Sequence, residues 1–258
     1  MNRYPMSYFS SLFPPRRIFG QRQSLSVWQM VLTTLFLMSL LFIPVSLQVG
    51  QLTTYPLERI VSGVYDPLTK EVMAHLGTGE WREGQLVINE ATFPQVSFGP
   101  ILPAETGIVY QFAKDKLAIH QDDLLVVEVP YSQLSSKDLQ TKEQLTATLS
   151  DYWFSENRFG ISLFLIGTSC LILGTNFLLL VLGSSLILYL ASLTKWFDLK
   201  GFRQAYTFTL NCLGLPTILT CLIGLFGQPM TTLIMVQNSF FILLLVLVFF
   251  KTRFKDEP

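Results

Sequence analysis

FGISLFLIGTSCLILGTNFLLLVLGSSLILYLASL, residues 159–193, is 35 residues long and holds no charged side chain. As a single helix it would be about 52 Å long, against about 30 Å for the hydrocarbon core of a bilayer. Cut in two, each half falls short of the roughly 20 residues that a span needs. The neighbourhood of Asn176 also offers no proline and little polarity for a turn. Three more apolar stretches lie outside it, at residues 27–47, 204–226 and 230–250. The last two are separated only by Gly227-Gln228-Pro229, which reads as a tight helical hairpin. The chain therefore crosses a membrane four times or five, depending on how residues 159–193 are read.

Charge decides between the two. With one long helix and four spans, three segments fall on the same side of the membrane. They are the first 26 residues with Arg3, Arg16, Arg17 and Arg22, the loop with Lys195, Lys200 and Arg203, and the tail with Lys251, Arg253 and Lys255. Each is locally net positive, as cytoplasmic segments are. Five spans would leave at least one of them on the wrong side. The sequence thus predicts a membrane α-helical protein of the plasma membrane, with four transmembrane helices at residues 27–47, 158–193, 204–226 and 230–250. Both termini (1–26 and 251–258) and the 194–203 loop are expected to be cytoplasmic. Residues 48–157 are expected to form a small α+β extracytoplasmic domain between helices 1 and 2, with the long second helix tilted or projecting. The first span reads as a retained anchor, because its apolar core of about 21 residues exceeds the 7–15 of a secretory signal.

Composition agrees with this plan. Half of the residues are apolar and 14% are charged, against about a quarter charged in soluble domains. Residues 51–157 carry 15 acids and 7 bases, although the whole chain is formally neutral. No basic stripe exists to serve a nucleic acid. Cys170, Cys212 and Cys221 all fall in predicted spans and read as small packing residues, so the outer domain folds without a disulfide of its own.

Ahead of the first span, Tyr8, Phe9, Leu12 and Phe13 are followed by Pro14, Pro15, Arg16, Arg17, Ile18 and Phe19. Aromatic residues and arginines together suit a stretch lying on the inner leaflet against anionic lipid. The double proline interrupts any helix there and fixes a bend. The alternative is a tail that positive charge simply keeps inside.

In the outer domain, the apolar spacing from Leu57 to Leu76 predicts helix over residues 52–76, broken at Asp66-Pro67. Turns are expected at residues 77–80 and at Glu83-Gly84. Short strands follow at residues 86–88, 92–98, 107–112, 117–120 and 124–129. Ser135 and Asp138 have capping-box spacing for a helix that would lead through Trp153 into the second span.

Chemistry-bearing residues are sparse. His75 and His120 lack ligand-spaced partners, so no metal is expected. Trp81, beside Glu80 and Arg82, has the surroundings of a sugar-stacking platform, although partial burial is the plainer role. Asp122 and Asp123 sit in a turn that suits a solvated corner better than a cation or sugar contact. There is no Gly-x-Ser-x-Gly elbow and no phosphate-binding Walker loop, so no catalytic residue and no cofactor is assigned. Within the spans the polar residues are Asn176, Asn211, Gln237 and Asn238, with several Ser and Thr. No ionisable residue other than cysteine or tyrosine lies at mid-depth, where ion-coupled carriers keep one. The Asn and Gln side chains suit bonds between spans, either within this chain or to a partner's helices. Pro216 is expected to kink the third span.

Ser11-Leu12-Phe13-Pro14-Pro15-Arg16-Arg17-Ile18 resembles the segment before the first span in the maltodextrin-utilisation membrane proteins of Gram-positive bacteria. Lys116-Leu117-Ala118-Ile119-His120 is similar to that family's lysine-containing β segment. Gly201-Phe202-Arg203-Gln204-Ala205-Tyr206 with Pro216 resembles the opening of its third span. The resemblance covers the full length and implies the same plan of basic tail, anchor, outer domain and three spans. It carries no reaction, ligand or catalytic residue. The function expected is a non-enzymatic accessory or regulatory membrane protein linked to maltodextrin uptake or the cell envelope. Its partner would be an uptake permease or an envelope complex, or it would form a homo-oligomer. The contact residues expected are Pro14, Pro15, Arg16, Arg17, Arg203, Asn211, Pro216, Gln237 and Asn238. Two alternatives from other classes are an oligomeric carrier or channel, with Asn211, Gln237 or Asn238 facing a shared cavity, and an envelope glycan or lipid enzyme, with acids converging near Trp81 or Asp122.

Overall fold

The computed structural model describes residues 4–80, 84–100, 107–122, 124–135, 138–194 and 197–255 in full, and the backbone alone of Trp81 and Arg82. The chain divides into two compact units, Leu52–Ile161 and the remainder, Met1–Gln51 with Ser162–Pro258.

The second of these is helical. Two short helices, α1 (Met6–Ser11) and α2 (Pro15–Gly20), precede α3 (Val27–Gly50). The long α5 (Lys142–Ser192) enters from the other unit, and α6 (Phe202–Gly224) and α7 (Met230–Thr252) follow. Four of these, α3, α5, α6 and α7, are long and apolar enough to cross a membrane. α3 starts on a capping box, in which Ser26 Oγ accepts from Gln29 N while Gln29 Oε1 accepts from Ser26 N. α5 is unbroken over 51 residues, about 76 Å at the ordinary rise, so residues 159–193 belong to one helix.

α6 is the hub. Of its most apolar 18-residue window 72% is buried, against 28% for α7. A helix that is apolar all round but buried on one side suits lipid as its other neighbour. Met30 meets Thr207, Thr34 meets Tyr206, and Pro44 meets Gly224. The start of α3 thus meets residues 206–207 and its later part meets Gly224, so α3 and α6 run parallel. Between α6 and α7 the order reverses, with Thr217 on Gln237 and Gly224 beside Leu233, so these two are antiparallel. Gly227 makes the reversal with φ of +78°, a conformation that glycine adopts without a Cβ penalty.

The Leu52–Ile161 unit is built on a five-stranded sheet in the order β3-β4-β5-β6-β7. The strands are β3 (Ala91–Phe93), β4 (Val96–Phe98), β5 (Ile108–Phe112), β6 (Lys116–Gln121) and β7 (Leu124–Pro130). All neighbours pair antiparallel except β4 and β5, which are parallel. A separate hairpin joins β1 (Glu80–Arg82) to β2 (Gln85–Val87). One sheet face packs on α4 (Lys70–Leu76) and the start of α5, through Val72, Leu76, Phe98, Tyr110, Phe112, Leu145, Leu149 and Phe154. Hydrogen bonds tie the layers together. The Tyr110 hydroxyl donates to Val64 O at 2.8 Å, and the Tyr65 hydroxyl lies 2.7 Å from Ser150 Oγ.

Four local expectations need correcting. Residues 52–69 form a single 3-10 turn at Leu57–Arg59 followed by further turns, because Pro56 and the left-handed Gly63 (φ +72°) break up the helical spacing. Residues 92–98 are two strands and not one, folded about Pro94, which cannot donate to a ladder, and Gln95 with φ of 62°. The expected turns around residue 80 flank an additional strand, β1, which pairs across Gly84. Ser135 and Asp138 do bond to each other, at 2.7 Å, but they close a turn. The helix starts at Lys142, where Thr141 Oγ1 accepts from Gln144 N.

Candidate functional site

The pre-span segment is buried on one side, while Phe9, Phe13, Arg16 and Arg17 remain exposed. Tyr8, Leu12, Ile18 and Phe19 are buried among the long helices of their unit. α1 is too short to be stable alone, so its place is set by what it packs against, and that is the middle of α6. The Tyr8 hydroxyl donates to Leu210 O at 2.9 Å. Ser11 Oγ reaches Tyr8 O at 2.6 Å and Asn211 Oδ1 at 3.2 Å. Asn211 Nδ2 in turn donates to Ile18 O at 3.3 Å, so one amide grips both short helices. Pro14 and Pro15 do mark the bend, as N-cap and first residue of α2. Gly214 makes room for the approach, since a Cβ there would collide with Leu12 Cδ2 and come within 2.6 Å of the Tyr8 hydroxyl. Arg16 and Arg17 are exposed on α2.

A second polar group lies deeper in the same bundle. Gln237, fully buried, donates from Nε2 to Thr217 Oγ1 at 3.2 Å. Gln237 Oε1 and the Thr220 hydroxyl are buried without a hydrogen-bond partner among the described residues. Asn176 Nδ2 reaches Asn238 Oδ1 at 3.4 Å, a long bond between α5 and α7. Pro216 lies beside these groups, its ring in a wholly apolar groove of about 350 Å³ with Leu215, Leu219, Phe240, Leu243 and Leu247. The spans' polar groups thus bond largely inside the chain, which is how buried amides hold helices together where no water competes.

At the start of α6, Arg203 donates from Nε and Nη2 to Leu25 O, at 3.3 and 2.8 Å. Arg22 is 3% exposed, donates to Asp198 O at 3.1 Å and lies over the Phe19 ring at 4.2 Å.

The outer-unit candidates do not converge. Asp122 accepts from Gly107 N at 2.8 Å and has φ of 47°, so its carboxylate closes the end of the β5–β6 hairpin. Asp123 and the Trp81 side chain lie outside the described residues. His75 lies 3.1 Å from Asn89 O and edge-on to Phe98, fastening α4 to the sheet. A depression of about 270 Å³ lies between β2 and the β4–β5 pair, edged by Glu90 and Lys114. No group of metal-ligating side chains occurs among the described residues.

A protein of Streptococcus pneumoniae (strain ATCC BAA-255 / R6), named "Maltodextrose utilization protein MalA", is 37% identical to this chain over 262 aligned residues. The match covers 98% of this chain and 97% of that protein. The chain belongs to the maltodextrose utilization protein family. No family model and no solved structure matches it.

For a member of this family the docked N-terminal helices are the feature that the residues did not announce. Gly214, Thr217 and Gly224 carried no expectation in the sequence, and Tyr8, Ser11 and Arg22 were read there only as part of a basic, aromatic tail and not as residues packed inside the bundle. One signal was present: Thr207, Asn211, Gly214, Thr217, Cys221 and Gly224 recur three or four residues apart along α6. Such a stripe of small and polar residues marks the helix that its neighbours approach most closely.

Proposed function

We propose that this chain is a non-enzymatic membrane accessory or regulatory protein of maltodextrin utilisation, working through a membrane partner such as an uptake permease or an envelope complex. The link to maltodextrin rests on the name of the pneumococcal relative. The observation that carries the accessory reading is the complete burial of Asn211 and Gln237 and their bonding inside the chain. An oligomeric carrier built on those residues needs them to face a shared cavity. Held as they are, they support a sealed bundle whose outward faces on α5 and α7, rich in exposed Leu, Ile and Phe, meet lipid or a partner's helices.

The orientation we propose has both termini and the α5–α6 loop in the cytoplasm and residues 48–157 outside the cell. The parallel course of α3 and α6 supports a single crossing by α5, since a double crossing would make them antiparallel. The three basic segments supply the sign.

Crosslinking in the native membrane, followed by recovery in mild detergent and mass spectrometry, tests the proposal. A stoichiometric permease or envelope component is the expected result. Recovery of the protein only with itself, together with maltodextrin movement into vesicles containing nothing else, would sink the accessory reading in favour of a carrier.

A further inference from the structure

Where the end of α2 meets the start of α6, a cleft of about 260 Å³ is lined by Arg22, Gln23, Lys200, Gly201, Arg203 and Gln204. Three of the six are cations and none is an acid. Asp198, the nearest acid in sequence, offers its carbonyl oxygen to Arg22 Nε but is not part of the lining. Like charges gathered in a cleft raise the local potential and attract a counter-ion.

We propose that this cleft binds the phosphate group of an anionic membrane lipid. Several features fit it to that group. The two guanidinium groups are held in place beforehand. Arg203 is fixed by its paired bonds to Leu25 O, and Arg22 by Asp198 O, Phe19 O and the Phe19 ring. A planar guanidinium has five N–H donors, and among the described residues Arg203 Nη1 has no acceptor. The Lys200 ammonium has none either, and lies on the exposed rim. The cleft includes Gly201, the N-cap of the 23-residue α6, which has no capping side chain. The first-turn N–H groups and the helix dipole there add to the field that favours an anion.

A lipid is favoured over a soluble phosphate by the surroundings. Leu25, whose carbonyl holds Arg203, is three residues before Trp28, which is 71% exposed at the head of α3. Phe202, 41% exposed, stands at the head of α6. Indole and phenyl rings at the ends of apolar helices mark the headgroup level of a bilayer, so the inference rests on the membrane reading above. A phosphate bound between Arg22 and Arg203 would link the end of α2 to α6. Anionic lipid would then hold the N-terminal helices in their seat on Asn211.

The test uses the full chain in lipid nanodiscs of phosphatidylcholine, with or without phosphatidylglycerol. Retained lipid is read by native mass spectrometry, and seating of α1 and α2 by amide exchange. Phosphatidylglycerol is expected to be retained and to slow exchange in both helices. Lys200→Gln removes a charge that makes no bond among the described residues, and the double variant K200Q/R203Q removes two. Retention should weaken by about fivefold in the first and about thirtyfold in the second, as expected for one and two lost cationic contacts. A control, K251Q/K255Q, removes two charges elsewhere and should retain the lipid. Undiminished retention in both cleft variants, or equal loss in the control, would overturn the proposal. So would inorganic phosphate protecting α1 and α2 equally well in pure phosphatidylcholine. Failure of any variant, or of the wild type, to enter the discs at all would speak against the membrane reading, a different result from entry without lipid selectivity.

Discussion

Single residues divide here into those that join helices and those that hold the sheet. Asn211 belongs to the first kind. Its replacement by Ala leaves Ile18 O buried and unpaired, at a cost of about 1–3 kcal/mol. Asn211→Ala is therefore expected to speed amide exchange in Met6–Ser11 and Pro15–Gly20 while sparing α7; unchanged protection of both short helices would show that packing alone seats them. Tyr110 belongs to the second kind. Burial, and then the neighbouring Tyr65, pushes its phenol well above the ordinary value of 10.0. Below about pH 10 the phenol is protonated both folded and unfolded, so its contribution is constant. Above that the unfolded chain ionises first, and stability should decline as pH rises toward the folded-state value. Thermal unfolding followed by near-ultraviolet circular dichroism should show this alkaline loss, with a shallower slope in Tyr110→Phe. An identical slope in the variant would remove Tyr110 as its source.

Among the elements, the parallel helices α3 and α6 approach each other closely at Gly224. A Cβ on Gly224 would stand 2.7 Å from Pro44 Cβ and 2.9 Å from its Cγ. The pyrrolidine ring cannot swing aside as a long side chain would. Gln48 Nε2 also donates to Gly224 O at 3.0 Å and to Gln228 O at 3.1 Å, fastening the same ends. Gly224→Val must push the helices apart and should destabilise the detergent-solubilised protein by about 1–3 kcal/mol, the usual range for overpacking. Gly167→Val on α5 supplies the contrast, since an added Cβ there meets nothing within 4 Å. It should leave the melting temperature of the purified protein unchanged, and an equal fall in both variants would refute the close-approach account.

At the scale of the whole molecule the open quantity is orientation across the membrane. In a background with Cys170, Cys212 and Cys221 replaced, single cysteines at Gln85, Lys200 and Lys255 fall at exposed positions in the strand-rich unit, the α5–α6 loop and the tail. An impermeant maleimide should label Gln85→Cys in intact cells. Lys200→Cys and Lys255→Cys should react only after permeabilisation. Labelling of Lys200→Cys in intact cells would place the α5–α6 loop outside and require a different crossing pattern.

The number of long apolar helices was legible in the sequence, because a stretch with no charge over 20 residues or more has few alternatives to helix where water is absent. The continuity of residues 159–193 was legible through charge, since five spans would have left one of the three basic segments on the wrong side. Most strands could be read where β-branched and aromatic runs were bounded by turn residues, as in β5, β6 and β7. The split of residues 92–98 about Pro94 and the left-handed Gln95 was not legible. The tertiary structure decided where the N-terminal helices pack. Aromatic residues and arginines before a span look alike whether they lie on lipid or insert into a bundle. The difference depends on Gly214 leaving space and Asn211 supplying bonds some 200 residues further along the chain. It likewise decided that Asn211 and Gln237 bond within the chain, and that Arg22 lines one cleft with Lys200 and Arg203, which are far from it in sequence. Local sequence determines which segments leave water; only the packed chain determines which of their polar groups find one another.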